Sequence, residues 1–448
     1  MKKIFIIAII GLLLFTGVGA SSSQNNPFAK NQNEPLRPTY DMLCIAPKVF
    51  SNSLQPLIAH KNAVGVQTTL LTTEDLYKNY DGHDSAEQVK YAIKDAQEQY
   101  NISYVLLVGG MKPLGLGWYV PVRYSLLDDG SGNSMFLTDL YFADLYKENG
   151  EFDDWDSNGN GIFAEWGKDT LDLTPDIAIG RLPCRTTKEV DIIVEKIIAY
   201  ENETYGSSWF NRMVAIGGDT FPAYAGAEGE ATCDVATSYM TGFTIQKLYT
   251  STGSLTGPTD IINAVNQGCG FLMTRGKGGT DRIRMGMPDG SELIAFQNKD
   301  VSKLANTDQY PICVLGECIH GKFDVCVRNL FKVMRNISGY TLYDCIYECI
   351  AWRLVREKNA GGIAVLTNAN ICYGAPIPHD AELYGGFLAV ELFRLYGQEG
   401  IQTLGVLHQQ ALTNYVNQFP VHTDISHCKS VQEFILFGDP SLRIGGYP

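Results

Sequence analysis

The strongest constraint in this chain is a pattern that occurs twice. A strand-length apolar run closes on a Gly-Gly pair: Tyr-Val-Leu-Leu-Val at 104–108 before Gly109-Gly110, and 213–216 before Gly217-Gly218. Such runs have no polar face for water, so they read as strands buried on both sides. Around the first lie apolar runs at 40–46, 66–72 and 177–179, the second of them rich in β-branched residues. Ser85 is placed to cap a helix whose Val89, Ala92, Ile93 and Ala96 share one face at i, i+3, i+4 and i+7. A second helix is expected over 188–201. From 209–212 the rhythm restarts, with strands at 271–274, 312–315 and 363–366. Helices are expected at 259–266, 341–357, 384–396 and 401–418. Strand–helix alternation of this kind predicts an α/β protein with mainly parallel sheets covered on both faces. The restart predicts two subdomains, 39–210 and 211–448.

The ends and the charge limit the rest. Lys2 and Lys3 precede an apolar run at 4–18 that closes on Val18-Gly19-Ala20. A basic start, a short apolar stretch and small residues form the pattern of a cleaved secretory leader. The run falls short of the about 20 residues a spanning helix needs. Residues 1–20 are therefore expected to be a signal peptide, with export to the cell surface or beyond and no membrane span after cleavage. Residues 21–38, rich in Ser, Asn, Gln and Pro, are expected to be a disordered linker. Asp plus Glu number 49 against 35 Lys plus Arg, a net charge of −14, so the large basic face of a nucleic-acid binder is missing. The Cys count is 11, too sparse for a disulfide scaffold, and an odd number leaves at least one thiol outside any intrachain pairing.

Two stretches carry chemistry. The first runs Asp154-Trp-Asp156-Ser-Asn158-Gly159-Asn160-Gly-Ile-Phe-Ala-Glu165. Oxygen-bearing side chains at alternate positions converge on a hard cation, Gly159 allows the sharp turn, and Glu165 can close the shell with both oxygens. Calcium is expected here, held by Asp154, Asp156, Asn158, Asn160 and Glu165, in a loop without the flanking helices of an EF-hand. Asp139 and Asp144, close upstream, are further candidate ligands. The second stretch is a pair of strand ends. The run 270–274 enters a Gly-rich turn, Arg275-Gly276-Lys277-Gly278-Gly279, and the run 310–316 ends in Glu317-Cys318. Open parallel sheets bind ligands at the carboxyl ends of their strands, which places Cys318 where a nucleophile belongs. A buried small residue is the competing reading of the same position.

Ordered stretches from about Tyr40 to Tyr447 resemble the gingipain-type cysteine peptidases, particularly secreted archaeal relatives. They are Tyr104-Val-Leu-Leu-Val-Gly-Gly, Thr138-Asp-Leu-Tyr-Phe-Ala-Asp144, Pro175-Asp-Ile-Ala-Ile-Gly-Arg-Leu-Pro183, Lys196-Ile-Ile-Ala-Tyr-Glu201, Gly321-Lys-Phe-Asp324 and Phe437-Gly-Asp-Pro-Ser-Leu-Arg-Ile-Gly-Gly446. The resemblance implies a caspase-like, three-layer α/β/α fold in two subdomains, the second holding a Cys/His pair. It implies Cys318 as nucleophile, Asp176 as the carboxylate that orients the base, and the backbone amides of Gly278 and Cys318 as oxyanion hole. The family's histidine sits in a Gly-His-Gly turn, and this chain has Gly276-Lys277-Gly278 there. A lysine with the ordinary pKa of about 10.4 is already protonated near neutrality and cannot serve as base. His320 and His379 are the two candidates for a substitute. Two functions follow. One is a secreted cysteine endopeptidase acting on proteins or peptides through Cys318, with Lys277 in the base's place. The other is a pseudopeptidase that keeps the scaffold and binds peptides or surface partners.

Overall fold

In the computed structural model, residues 39–130, 134–335 and 341–448 are described. The expected leader and linker lie outside them. The strands, in chain order, are β1 Met42–Ala46, β2 Thr68–Thr72, β3 Tyr104–Val108, β4 Arg123–Leu126, β5 Met135–Thr138 and β6 Ala178–Leu182. After residue 211 come β7 Arg212–Gly217, β8 Thr244–Tyr249, β9 Phe271–Arg275, β10 Lys277–Gly279, β11 Arg282–Gly286 and β12 Glu292–Gln297. The last three are β13 Ile312–Leu315, β14 Ala364–Asn368 and β15 Phe434–Phe437.

Ten of them form one sheet in the order β2-β1-β3-β6-β15-β14-β13-β9-β7-β8. Every neighbouring pair is parallel except β14 with β15. The expected α/β architecture is therefore present as two five-stranded parallel runs joined at one antiparallel seam. Every residue of β1, β6, β9, β13, β14 and β15 is buried. Since successive side chains point to opposite faces, both faces of the sheet are covered. Residues 39–210 supply four strands of one run and residues 211–363 four of the other. The seam itself is built by β14 and by β15, whose strand is the last in sequence yet completes the first run.

Several elements differ from expectation. The helix Ser85–Tyr100 carries the predicted apolar face, but its N-cap is Asp84, whose carboxylate accepts from Ala86 N and Glu87 N at 3.0 and 2.9 Å. The long helix expected over 341–357 is a 3₁₀ turn, Leu342–Asp344, followed by a separate helix, Ile350–Arg356. Asp344 folds back onto Thr341, accepting from its N and Oγ1 at 2.7 and 3.0 Å, and pairs with Lys322 at 2.5 Å. Those local bonds close the first turn and compete with helix propagation. The stretch 277–297 leaves the main sheet as an antiparallel three-stranded one, β10-β11-β12.

The seam explains two of the resemblance stretches. A Cβ on Gly180 would stand 2.3 Å from the Gly438 carbonyl oxygen, so β6 and the end of β15 approach too closely for any other residue. Beside it, the fully buried Arg181 donates to Asp139 through Nε and Nη2, both at 2.7 Å, and to the carbonyls of Gly109, Val120 and Pro121 at 3.1–3.4 Å. One guanidinium thus terminates three loop segments. Just past β15, Asp439 pairs with the buried Lys61 at 2.7 Å, and Lys61 also reaches Glu201 at 2.8 Å. Removing one partner of a buried ion pair typically costs about 3–5 kcal/mol, because the other charge is left uncompensated. Arg181→Leu is therefore expected to lower unfolding free energy by about that amount in urea melts.

Candidate active site

Cys318 lies three residues beyond β13, in a turn that the backbone enters under strain. Ile319, a β-branched residue, has φ +54°, in the left-handed region. The turn is held by Ile319 N donating to Asn370 O at 2.8 Å and Gly321 N to Asn368 O at 2.9 Å. The Asn368 side chain donates to Glu317 O at 3.1 Å. The β10 turn presses against the nucleophile position directly. A Cβ on Gly278 would stand 1.9 Å from Cys318 O and 2.7 Å from Cys318 N, which only glycine permits. Among the described residues the Cys318 amide donates no hydrogen bond within the chain. A free N–H next to a thiol is what an oxyanion donor requires.

A second sulfur stands against the first. Cys372 Sγ lies 3.4 Å from Cys318 Sγ as a hydrogen-bond donor, and the Cys318 thiol lies 3.3 Å from the Cys372 carbonyl oxygen. The Cys372 thiol pulls the Cys318 pKa down to about 6, against burial and with help from Arg275 and His320. Cys372 itself is pushed well above the ordinary thiol value, by its bond to Cys318 and by burial. The loop carrying Cys372 is strapped to β9. Arg275 donates through Nε and Nη2 to Asp380 at 2.7 and 2.5 Å, and its Nη1 reaches the Gly316 carbonyl. Thr232 Oγ1 adds a bond to Asp380 at 2.7 Å. Glu317 is buried and accepts from Thr274 Oγ1 at 2.7 Å.

Among the described residues, none of the other expected site side chains hydrogen-bonds the thiol. Lys277 is on β10, opposite Arg284, and its ammonium stands 3.7 Å from Glu292 Oε2. No hydrogen bond or ion pair joins it to Cys318 among the described residues. Asp176 precedes β6 and accepts from Leu145 N and Tyr146 N at 2.6 and 2.9 Å. Its strand is four positions from β9, about 19 Å at ordinary strand spacing. Asp176 therefore braces its own loop and does not orient residue 277. The carboxylate at the neighbouring strand end is Asp219, which follows β7 and bridges to Gly286. His320 is fully buried, with Nε2 3.0 Å from Arg282 O and Nδ1 3.4 Å from Glu317 Oε2. His379 is exposed and paired with Glu382 at 2.9 Å. Neither hydrogen-bonds the Cys318 thiol. Sequence reading passed over Arg275, Asp380 and Cys372. Arg275 stood inside the Gly-rich turn it described, whereas nothing local marks Cys372 or Asp380, which reach the site only through tertiary folding.

The 154–165 loop folds on itself. Asp156 accepts from Asn160 N and Gly161 N at 3.0 and 2.8 Å, and Asp154 from Asp156 N at 3.1 Å. Asn158 and Asn160 accept from Asn160 N and Ile162 N at 3.1 and 2.8 Å. Glu165 pairs with Lys168 at 2.5 Å. No helix flanks it on either side. Beside it, one carboxylate oxygen each from Asp144, Asp153 and Asp172 lie within 4.8 Å of one another. Asp144 Oδ1 and Asp153 Oδ2 are buried without a partner. Open oxygens of this kind suit a hard cation.

Peptidase family C25 matches residues 36–445. The chain belongs to peptidase family C25. A curated relative, gingipain R2 of Porphyromonas gingivalis (strain ATCC BAA-308 / W83), is 21% identical over 415 residues, covering 90% of this chain and 46% of the relative. The chain thus spans about half that relative's length. Among solved structures, the Arg-specific cysteine proteinase gingipain R superposes with a TM-score of 0.66 at 18% identity, over 91% of this chain and 78% of that one. The complex of the pro- and mature domains of Porphyromonas gingivalis RgpB gives 0.63 at 18%, over 90% and 79%. The C25 fold is the caspase-like one expected, and the sheet order above is its form in this chain.

The strap has a titration signature. Burial raises the Asp380 carboxyl, but the charge and hydrogen bonds of Arg275 outweigh it and hold the group below the usual carboxylate range. A depressed carboxyl contributes stability that is present above its unfolded pKa of about 3.9 and lost as pH falls through the folded value. Asp380→Asn is expected to destabilise by about 3–5 kcal/mol at pH 7, leaving Arg275 unpaired. The gap to wild type should close below about pH 4, as read by denaturant melts across pH.

Proposed function

We propose that this C25 chain is an exported cysteine peptidase that cleaves peptide bonds through the Cys318 thiolate. The observation that carries the reading is a thiol at a strand's carboxyl end, 3.4 Å from a second thiol that donates to it, beside its own free amide and the close-packed Gly278. The thiolate adds to the scissile carbonyl carbon and the Cys318 amide receives the developing oxyanion; the leaving nitrogen takes a proton from water as collapse expels the amine, and a further water hydrolyses the remaining thioester to the carboxylic acid and frees the thiol. The first curated relative is named as a gingipain, and the likeness supports protein or peptide as substrate. The leader pattern supports export, and no helix among the described residues is long and apolar enough to cross a membrane.

One observation favours the binding-only reading as the alternative. Lys277 stands in the base's turn with its ammonium directed to Glu292, and no histidine hydrogen-bonds the thiol. Losing a general base costs about 10²–10⁴-fold. The test is turnover of a broad peptide library by the mature protein, wild type against Cys318→Ala. Thiol-dependent turnover lost in Cys318→Ala establishes the enzyme. Its absence in correctly folded protein establishes the binding protein. Lys277→His places a group with reference pKa of about 6.5 in the turn and is expected to raise turnover, up to the same 10²–10⁴ range. The gain should vanish when combined with Cys318→Ala.

We also propose a structural calcium at the 154–165 loop. The alternating oxygens of the loop support it; Asp144, Asp153 and Asp172, beside the loop, form a separate group that includes none of its five residues. Ligand that binds only the folded state stabilises by mass action. Added calcium is expected to raise the melting temperature, and Asp156→Ala to remove most of the rise. Equal melting curves in calcium and in chelator would refute the site.

A further inference from the structure

The Cys318 sulfur has no imidazole against it, yet it is not alone. We propose that the Cys372 thiol is the hydrogen-bond donor that holds Cys318 as its thiolate, taking the activating part of the absent histidine. The inference rests on Cys318 being the reactive group, and it does not require that any peptide be turned over.

The geometry carries the argument. At 3.4 Å the two sulfurs are far beyond the about 2.05 Å of a disulfide and at the separation of an S–H···S hydrogen bond. The Cys372 carbonyl, 3.3 Å from the Cys318 sulfur, is an acceptor only. It satisfies the neutral thiol and offers nothing to the thiolate. The donors that remain when Cys318 ionises are the Cys372 S–H, which has the larger effect, and the Cys372 backbone, which every side-chain variant at 372 keeps. Two thiols in contact share one proton economically. Once one is ionised, the second is held protonated by the neighbouring negative charge and by burial, and its proton points back at that charge.

The surrounding groups are consistent with this division. Arg275, from the end of β9, supplies the positive charge nearest the pair, but its three donor nitrogens are committed to Asp380 and to the Gly316 carbonyl. It biases the site electrostatically without hydrogen-bonding a sulfur. His320, on the turn itself, directs Nε2 to Arg282 O. Glu317, also on the turn, is bound to Thr274. Glu433, at the end of the helix Ile425–Glu433, has both carboxylate oxygens buried without partners, and burial pushes its pKa up. Cys372 is thus the one group among these that donates to the Cys318 sulfur. The Arg275–Asp380 strap, eight residues along the same loop, keeps it there.

The experiment is a pH titration of Cys318 alkylation by iodoacetamide, in full-length mature protein kept reduced, with labelling at Cys318 read by peptide mapping. The thiolate attacks the methylene carbon and iodide leaves, so the rate follows the ionised fraction. The midpoint is the diagnostic quantity, because a less basic thiolate is also a weaker nucleophile and the rate alone understates ionisation. Wild type is expected to titrate near 6. Cys372→Ala and the larger, donor-less Cys372→Val should move the midpoint toward the ordinary thiol value of about 8.5. Cys372→Ser restores a donor and should hold the midpoint nearer to wild type, which a purely structural role would not do. Ultraviolet absorbance of the thiolate reads the same titration without reagent access, and melting curves select whichever of the Ala and Val variants folds as wild type does. A wild-type midpoint above 8, or an unmoved midpoint in both donor-less variants, overturns the proposal. Shifted midpoints without peptide turnover refute the peptidase reading and leave this one standing; turnover with unmoved midpoints does the reverse.

Discussion

Everything in this molecule is arranged around one reversal of strand direction. Two five-stranded parallel runs meet at β14 and β15 and run opposite ways from there. The reversal puts the amino ends of β6 and β15 on the same sheet edge as the carboxyl ends of β13 and β9. The crevice that forms where parallel strands end is therefore bordered by elements of both strand runs: Cys318 and Gly278 from one, and the Glu433 end of the last helix, just before β15, from the other. The tight contact of Gly180 with Gly438 and the charges gathered at Arg181, Lys61 and Asp439 belong to the same seam. Buried ions there are weak stabilisers by themselves. Their effect is to fix which strands are neighbours, since each is satisfied in only one arrangement of the loops.

Against that frame the site is a set of close contacts between loops that the sheet holds at fixed spacing. Strand spacing of about 4.8 Å sets β9 and β13 side by side, so their terminal turns touch. Gly278 lets the touch become contact at Cys318, and Ile319 absorbs the bend in a conformation a β-branched residue rarely takes. Such strain persists only where neighbours over-determine it, and here the amides bound by Asn368 and Asn370 do so. The acidity of the thiol then follows from who stands beside it. A neutral sulfur donor and a committed guanidinium replace a histidine ring.

Much of this was legible from residues, and what was not has a common cause. Apolar runs such as 104–108 and 312–315, set in the strand–helix alternation and followed closely by glycine, read as buried parallel strands. The position of Cys318 after such a run also follows from local pattern, as does the family. β15 was hidden because four apolar residues, Phe434–Phe437, look the same in a helix end as in a strand. The 341–357 stretch misled because helical periodicity does not reveal that Asp344 will fold back on Thr341 and bind Lys322. Asp176 was assigned by its place in a motif, and the sheet order separates it from the site by strands that the motif cannot count. Cys372 and Asp380 were silent because their role comes from packing between loops some 50 to 100 residues from their partners, Cys318 and Arg275.

The position of β15 in sequence also sets an order of assembly. The first run, β2-β1-β3-β6, ends in an open edge until residues 434–437 arrive, and so does the run that ends in β14. Exposed edges with unpaired amides and carbonyls are templates for wrong partners, and long-range pairings form late because loop closure must precede them. A nascent chain that has already made Cys318 and Cys372 therefore has both sulfurs before it has the strand that joins the two halves beneath them. The sheet beneath the nucleophile is closed only when this keystone strand has entered.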